Sequence, residues 1–282
     1  RLSEREQQLV DQLVLSFLRS EKLQSHIRYL LEKGAMYRVC NGNLLYHGCI
    51  PMEPDGSFTR VTMGDKTYFG KSLMDACDRL CRTAMYDRRM ENTDLLWYLW
   101  CGPYSPLNGK DKIATFERTF LDDPEARTEQ KNPYYDLWNS EETARTILTE
   151  FGVDFERGHI INGHVPVRKT KGDTPIKANG KFINIDGGLS KAYQPVTGIC
   201  GYTLVYSSHE LYLAEHQPFD PDTAARESAD VLSRTIMIEQ YPDRLRVRDT
   251  DGGADVERRI ADLKKLLAAY RSGLVRTPSR ME

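Results

Sequence analysis

Apolar residues along this chain change their spacing again and again, and that alternation limits the fold more than any other feature. Stretches with apolar side chains three and four residues apart, which mark one face of a helix, give way to short apolar runs closed by Asn-Gly, Asp-Gly-Gly or Gly-Pro. Such runs mark strands and tight turns. Residues 3–33 read as one helix carrying Leu9, Leu13, Phe17, Leu18, Ile27, Leu30 and Leu31, with Gly34 at its end. Asn41-Gly42 between apolar segments 36–39 and 43–50 reads as a hairpin. Short strands at 58–63 and 67–69 precede a helix over 72–89, with Leu73, Cys77, Leu80, Cys81 and Ala84 on one side. The spacing continues with a helix from Ser140 to Phe151 closed by Gly152, a strand at Ile160-Ile161, and strands at 182–185, 201–206 and 210–214. Toward the end it predicts a helix after residue 222, strands at 235–239 and 245–247, and a helix over 254–271. Segment 122–139, polar and Pro-containing, reads as a long surface connection. Helices packed on a sheet, an α/β class, accommodate this order; a bundle or an all-β sandwich does not.

Composition narrows the function classes. With 282 residues and 40% hydrophobic content the chain can build a large core without disulfide staples. Lys plus Arg number 39 against 41 Asp plus Glu, so no global positive field favours nucleic acid. No run approaches 18 apolar residues, and the first residues, RLSERE, lack the apolar core of a signal peptide. The expectation is a cytoplasmic protein with neither nucleic acid nor membrane as partner. Its six cysteines are then expected as thiols. Cys77 and Cys81 share a helix face, and without a second Cys or His pair beside them they read as small core residues.

Two histidines stand at strand ends beside glycine: His47 before Gly48, and His164 after Gly163. An imidazole there can point into the crevice above a sheet, where a metal can bind. Taken singly, and from geometry alone, such a histidine is more often a hydrogen-bonded structural residue. His159 reads as structural, and His209 and His216 match no motif.

The surrounding residues add a resemblance. Tyr46-His47-Gly48-Cys49-Ile50-Pro51 resembles the HGG-x-x-P strand-end motif of the calcineurin-like metallophosphoesterases, and Asn162-Gly163-His164-Val165-Pro166 resembles their GHTP motif, differing at Val165. Asp94-Leu95-Leu96-Trp97 is similar to the LLW segment of the phosphoprotein-phosphatase branch, although the usual Ser-Asp-Pro is replaced by a path to Cys101-Gly102-Pro103. Longer runs narrow this to one family. GHVPVRKTKGDTPIKANGKFINIDGGLSKAYQPVTGICGYTLVYSS (163–208), CGPYSPLNGKDKIATFERTF (101–120) and LLYHGCIPM (44–52) resemble class III fructose-1,6-bisphosphatase, over nearly the whole chain.

That resemblance implies hydrolysis of the 1-phosphate of fructose-1,6-bisphosphate to fructose-6-phosphate, a gluconeogenic step, at a dinuclear Mn²⁺ site. Two ions about 3.5–4 Å apart polarise phosphoryl oxygens and generate hydroxide for in-line attack. It implies His47 and His164 as metal ligands. Arg168, Lys169, Lys171, Lys177 and Lys181 place five cations against Asp173 just after His164, where they are expected to meet a doubly phosphorylated sugar. Tyr104, Ser105 and Lys110, in the Gly/Pro loop, are further expected substrate contacts.

The superfamily's earlier motifs, GDxHG, GDxxDRG and GNHE, are missing. Gly64-Asp65 continues as Lys-Thr-Tyr, Gly172-Asp173 as Thr-Pro, and Gly42-Asn43 as Leu-Leu. Two histidines cannot hold two metals, so the chain is expected to be the C-terminal part of a metallophosphoesterase-type β-sandwich flanked by helices. Residues 1–218 would belong to that domain and 219–282 to a small α+β tail packing on it. The general acid is expected upstream. Expected partners are the sugar bisphosphate, the N-terminal half of the same enzyme and, in a homo-oligomer, further copies of the chain. Two other readings use the same motifs: a phosphatase acting on phosphoproteins or dinucleotides, and a non-catalytic regulatory domain of the same fold.

Overall fold

The computed structural model describes residues 2–87, 89–199, 201–217 and 233–275; Cys200 and the helix expected after residue 222 lie outside the described residues. The chain divides into two compact units, Arg1–Arg38 with Tyr46–Gly152, and Val39–Leu45 with Val153–Glu282.

The first unit is mainly helical. In place of one helix over 3–33 there are two, α1 (Glu4–Arg19) and α2 (Glu21–Lys33). Ser20 separates them: it ends α1 in an extended conformation, and its hydroxyl accepts the Leu23 N–H at 3.3 Å to start α2. A serine that can bond the backbone locally competes with helix continuation, and apolar periodicity does not report that competition. The apolar residues of α1 bury nothing among the described residues, Leu9, Leu13, Phe17 and Leu18 all being exposed. The hairpin β3 (Val61–Met63) and β4 (Lys66–Tyr68) leads into α3 (Gly70–Tyr86), which buries Leu73, Met74, Ala76, Cys77 and Ala84. α4 (Met90–Cys101) packs on α3.

Segment 122–139 corrects the reading of a plain surface connection. After α5 (Thr115–Phe120) it contains a short helix, α6 (Pro124–Arg127), and a 3₁₀ turn, Pro133–Tyr135. Tyr134 and Trp138 are buried and stack edge-on with Tyr135. α7 (Glu141–Glu150) starts where expected, with the Ser140 hydroxyl accepting the Thr143 N–H at 3.1 Å. It buries Ala144, Ile147 and Leu148, packs on α3, and is followed by Gly152 at φ +70°.

The second unit carries two sheets. β1 (Tyr37–Cys40) and β2 (Asn43–Tyr46) meet at Asn41-Gly42, both at positive φ as a two-residue hairpin turn requires. β5 (Ile160–Asn162) runs parallel to β2 and to β7 (Phe182–Asn184), and β6 (Ile176–Lys177) closes the order β1-β2-β5-β7-β6 antiparallel to β7. The central strands β5 and β7 are buried at every position, as strands covered on both faces are, and each is apolar up to a closing Asn. The second sheet, β10-β9-β8, comprises β8 (Gly201–Tyr206), β9 (Glu210–His216) and β10 (Ser233–Gln240), all antiparallel. One buried cluster joins the sheets: Ile161 and Ile183 from the first meet Tyr202, Leu211 and Leu213 from the second, with Val167 and Ile199 from the connecting segments. A four-residue helix, α8 (Gln194–Thr197), lies in the connection between them.

The strand expected at 245–247 is not formed. Leu245 donates one backbone bond to Ser208, and the Arg246 N–H then meets the Asp249 carboxylate at 2.8 Å, turning the chain into a 3₁₀ turn, Val247–Asp249. α9 (Asp251–Arg271) follows. Its first residue and Asn41 exchange bonds, Asn41 N–H to Asp251 Oδ2 (2.7 Å) and Asp251 N–H to Asn41 Oδ1 (3.0 Å). Its apolar row, Ile260, Leu263, Leu266, Leu267 and Tyr270, is exposed.

Candidate active site

His164 owes its position to the end of β5. Ile160, Ile161 and Asn162 pair in parallel with Phe182, Ile183 and Asn184, after which the chain turns at Gly163-His164. The turn is braced from β7, whose Asn184 side chain donates to the Val165 carbonyl (2.8 Å) and accepts the Asp186 N–H (2.9 Å). Within this brace His164 adopts φ +70°, a left-handed conformation that costs an L residue about 1–2 kcal/mol. Its side chain is half-buried. Strained backbone of this kind gathers at functional sites.

His47 follows β2, and its side chain is exposed. The next residues turn inward. Gly48 and Cys49 are buried, and the Cys49 N–H donates to the Pro106 carbonyl at 3.1 Å, laying this segment along the Gly/Pro loop. Tyr104 in that loop is exposed and, like His164, has a positive φ, +63°. Ser105 differs: it is 0% exposed, donates to the Leu99 carbonyl and accepts the N–H groups of Leu107 and Asn108. Its hydroxyl shapes the loop. Lys110 meets Glu129 at 2.7 Å, and Arg118 meets the same carboxylate at 3.0 Å. Burial works to raise the Glu129 carboxyl, but the Ala114 N–H, Lys110 and Arg118 outweigh it and hold it below the usual range.

The five cations after His164 divide by partner. Lys181 donates to the carbonyls of Phe155 (2.5 Å) and Glu156 (3.0 Å) and lies over the Phe155 ring. Lys177 pairs with Asp173 at 2.7 Å, and Lys169 with the buried Glu215 at 2.5 Å. Arg168 and Lys171 are exposed at either side of Lys169. The loop thus offers two outward cations where its composition shows five.

His159 is structural, as expected: it is buried, with Nδ1 2.8 Å from the Gly180 carbonyl and Nε2 3.3 Å from Glu239. The five described cysteines are free thiols, and burial pushes Cys49 and Cys77 up to about 12. Reading the sequence missed Asn162 and Asn184, register partners at the carboxyl ends of β5 and β7 and both buried. An Asn closing each of two apolar runs, IIN and FIN, was the available signal. Glu215 was missed as well.

Comparison with protein-family models matches residues 1–272 to the Firmicute fructose-1,6-bisphosphatase model. The chain belongs to that family. Among curated proteins it is 51% identical over 281 residues to "Fructose-1,6-bisphosphatase class 3" of Clostridium botulinum (strain Loch Maree / Type A3), covering 98% of this chain and 42% of that protein. The protein of the same name from Clostridium tetani (strain Massachusetts / E88) is 49% identical over the same span. The chain therefore spans about two-fifths of the length of the curated relatives it matches. No solved structure matches it.

The family implies a divalent metal. Among the described residues, no group of three or more His, Cys, Asp or Glu side chains is placed to hold one. Imidazoles suit such an ion, but two donors do not make a centre. The described residues do not by themselves fit a complete metal site. No described helix is long and apolar enough to cross a membrane.

Proposed function

We propose that this chain works as part of a metal-dependent, cytoplasmic sugar phosphatase that hydrolyses the 1-phosphate of fructose-1,6-bisphosphate to fructose-6-phosphate and phosphate. The observation that carries this reading is the family match across residues 1–272, with half of the residues identical to proteins named for that activity. In this reading His47 and His164 donate to a manganese centre. Its remaining donors, and the general acid, belong to polypeptide outside this sequence, in the N-terminal half of the enzyme. The strained turn at His164 and the positive φ of Tyr104 support their assignment to the site. Arg168 and Lys171 bind a phosphate group of the substrate, Tyr104 borders it, and Lys169, Lys177, Lys181, Ser105 and Lys110 act through the loops they brace.

The same reading makes the fold a metallophosphoesterase sandwich with a tail at 219–282. The two sheets sharing one apolar cluster support the first part, and the pairing of β10 on β9 supports the second.

Phosphate release by the complete protein with Mn²⁺ tests the function, comparing fructose-1,6-bisphosphate with a phosphoserine peptide and a dinucleotide. Release from the sugar bisphosphate alone is expected. Arg168→Ala and Lys171→Ala should each raise KM about tenfold, the worth of one charge-assisted hydrogen bond. Preference for the peptide or dinucleotide would move the assignment to the related phosphatases, and no release from any of the three would favour a regulatory domain.

A further inference from the structure

Strand β9 alternates along its length and places Leu211, Leu213 and Glu215 in one row on the core face. A carboxylate, 1% exposed, thus occupies a position of a kind that Leu211 and Leu213 fill with apolar side chains. A buried charge is costly unless an opposite charge meets it. Lys169 supplies that charge, with Nζ 2.5 Å from Glu215 Oε1, and the Gln217 amide lies 3.4 Å from the same oxygen. The other oxygen, Oε2, and the hydroxyl of Tyr202, the cross-strand partner of Glu215, are buried as well, and burial followed by the Glu215 charge pushes the Tyr202 phenol above its usual range. Among the described residues, Lys169 is the cation that pairs with this carboxylate.

Lys169 belongs to a turn that carries two further cations. Lys169 opens a tight turn in which the Lys171 and Asp173 N–H groups donate to the Arg168 carbonyl, and Gly172 N–H donates to Lys169. Gly172 closes the turn at φ +77°, and the Thr170 hydroxyl donates to the Val196 carbonyl at 2.5 Å. One cation of the turn is anchored in the core while Arg168 and Lys171, on either side of it, are exposed.

We propose that Glu215 is a positioning residue for phosphate recognition, an inference that rests on the phosphatase reading above. The buried Glu215–Lys169 pair holds the 168–172 turn so that Arg168 and Lys171 present their charges together to one phosphate group of a sugar bisphosphate. Glu215 itself touches no substrate.

The test uses the complete protein, unsubstituted and as Glu215→Gln, Lys169→Met and the apolar double variant Glu215→Leu/Lys169→Met. Two quantities are read: KM and kcat for fructose-1,6-bisphosphate, and the rate of native-state trypsin cleavage after Arg168 and Lys171. In each single variant KM should rise about tenfold with kcat within twofold, and cleavage should quicken about tenfold. The double variant replaces the ion pair by an apolar contact, so both quantities should return to within twofold of the unsubstituted protein. It also supplies the folded comparison where a single variant does not fold, and a tenfold KM rise in it, with slow cleavage, would show that Lys169 itself meets the substrate and would overturn the positioning role. An unchanged KM in Glu215→Gln overturns it too. Absence of phosphate release from the unsubstituted protein is a separate result, needing no variant, and removes the phosphatase reading itself.

Discussion

His164→Ala and His164→Gly, each made in the complete protein, are expected to lower phosphate release from fructose-1,6-bisphosphate by more than about 100-fold. With His164 as a metal donor, as proposed, its loss should exceed the 10–100-fold typical of an outer hydrogen-bond partner. Manganese retained per chain, measured by atomic absorption, should fall in both. The two variants should nevertheless differ in stability. Both remove the imidazole, so whatever it contacts is lost equally, and the remaining difference is the backbone at φ +70°. Glycine relieves about 1–2 kcal/mol of left-handed strain but gives back part of it through a more disordered unfolded chain. The glycine variant should therefore be the more stable by about 0.5–1 kcal/mol in urea unfolding. Full activity and metal content in both variants would remove His164 from the site. Equal stability would mean that the turn stores no strain.

Tyr134→Ala should cost about 3–5 kcal/mol, the range for truncating a large buried aromatic side chain. A residue in a surface connection would cost no more than about 0.5 kcal/mol, so urea unfolding separates the two descriptions of segment 122–139. Tyr134 is 0% exposed, its ring centroid lies 5.9 Å from that of Trp138, and its hydroxyl lies 2.6 Å from that of Tyr46. Asn132 sets the turn, its side-chain oxygen accepting the N–H groups of Met52 (3.1 Å) and Tyr134 (3.0 Å). Burial, and then the neighbouring Tyr134, push the Tyr46 phenol well above its usual range, so Tyr46 remains neutral across ordinary pH. Tyr134→Phe removes only the hydroxyl and should cost about 1 kcal/mol. A loss below about 1 kcal/mol in Tyr134→Ala would show that the aromatic cluster does not carry this part of the unit.

Local sequence signals determine the structure wherever a few neighbouring residues carry the physics. Asn41-Gly42 turned the chain because both positions tolerate positive φ, Ser140 started α7 because its hydroxyl reaches an open N–H, and alternation placed β8 and β9. The structure departs from the sequence pattern where a local bond competes with periodicity or a distant partner decides the outcome. Ser20 cut an apolar-periodic run into two helices, and Asp249 drew the chain at Arg246 away from a strand. Tyr134 and Trp138 close a stretch that is polar and charged over most of its length, and only packing on residues far along the chain reveals them as core.

For the candidate site, the sequence by itself determined which chemistry-bearing groups exist and where they stand along the chain. Gly-His and His-Gly at strand ends, and the cations from Arg168 to Lys181, follow from residue type, spacing and a family resemblance that the comparisons support at the level of family. Only the tertiary structure decided which of those groups are engaged. Ser105 turned inward to hold its own loop, Lys181 capped carbonyls, and Lys169 crossed to a buried carboxylate 46 residues away. Charge along a chain is a property of composition, whereas an ion pair depends on which elements pack together. Lys169 lies in the 168–172 turn and Glu215 on β9, so only the packing of that turn on the second sheet brings them together.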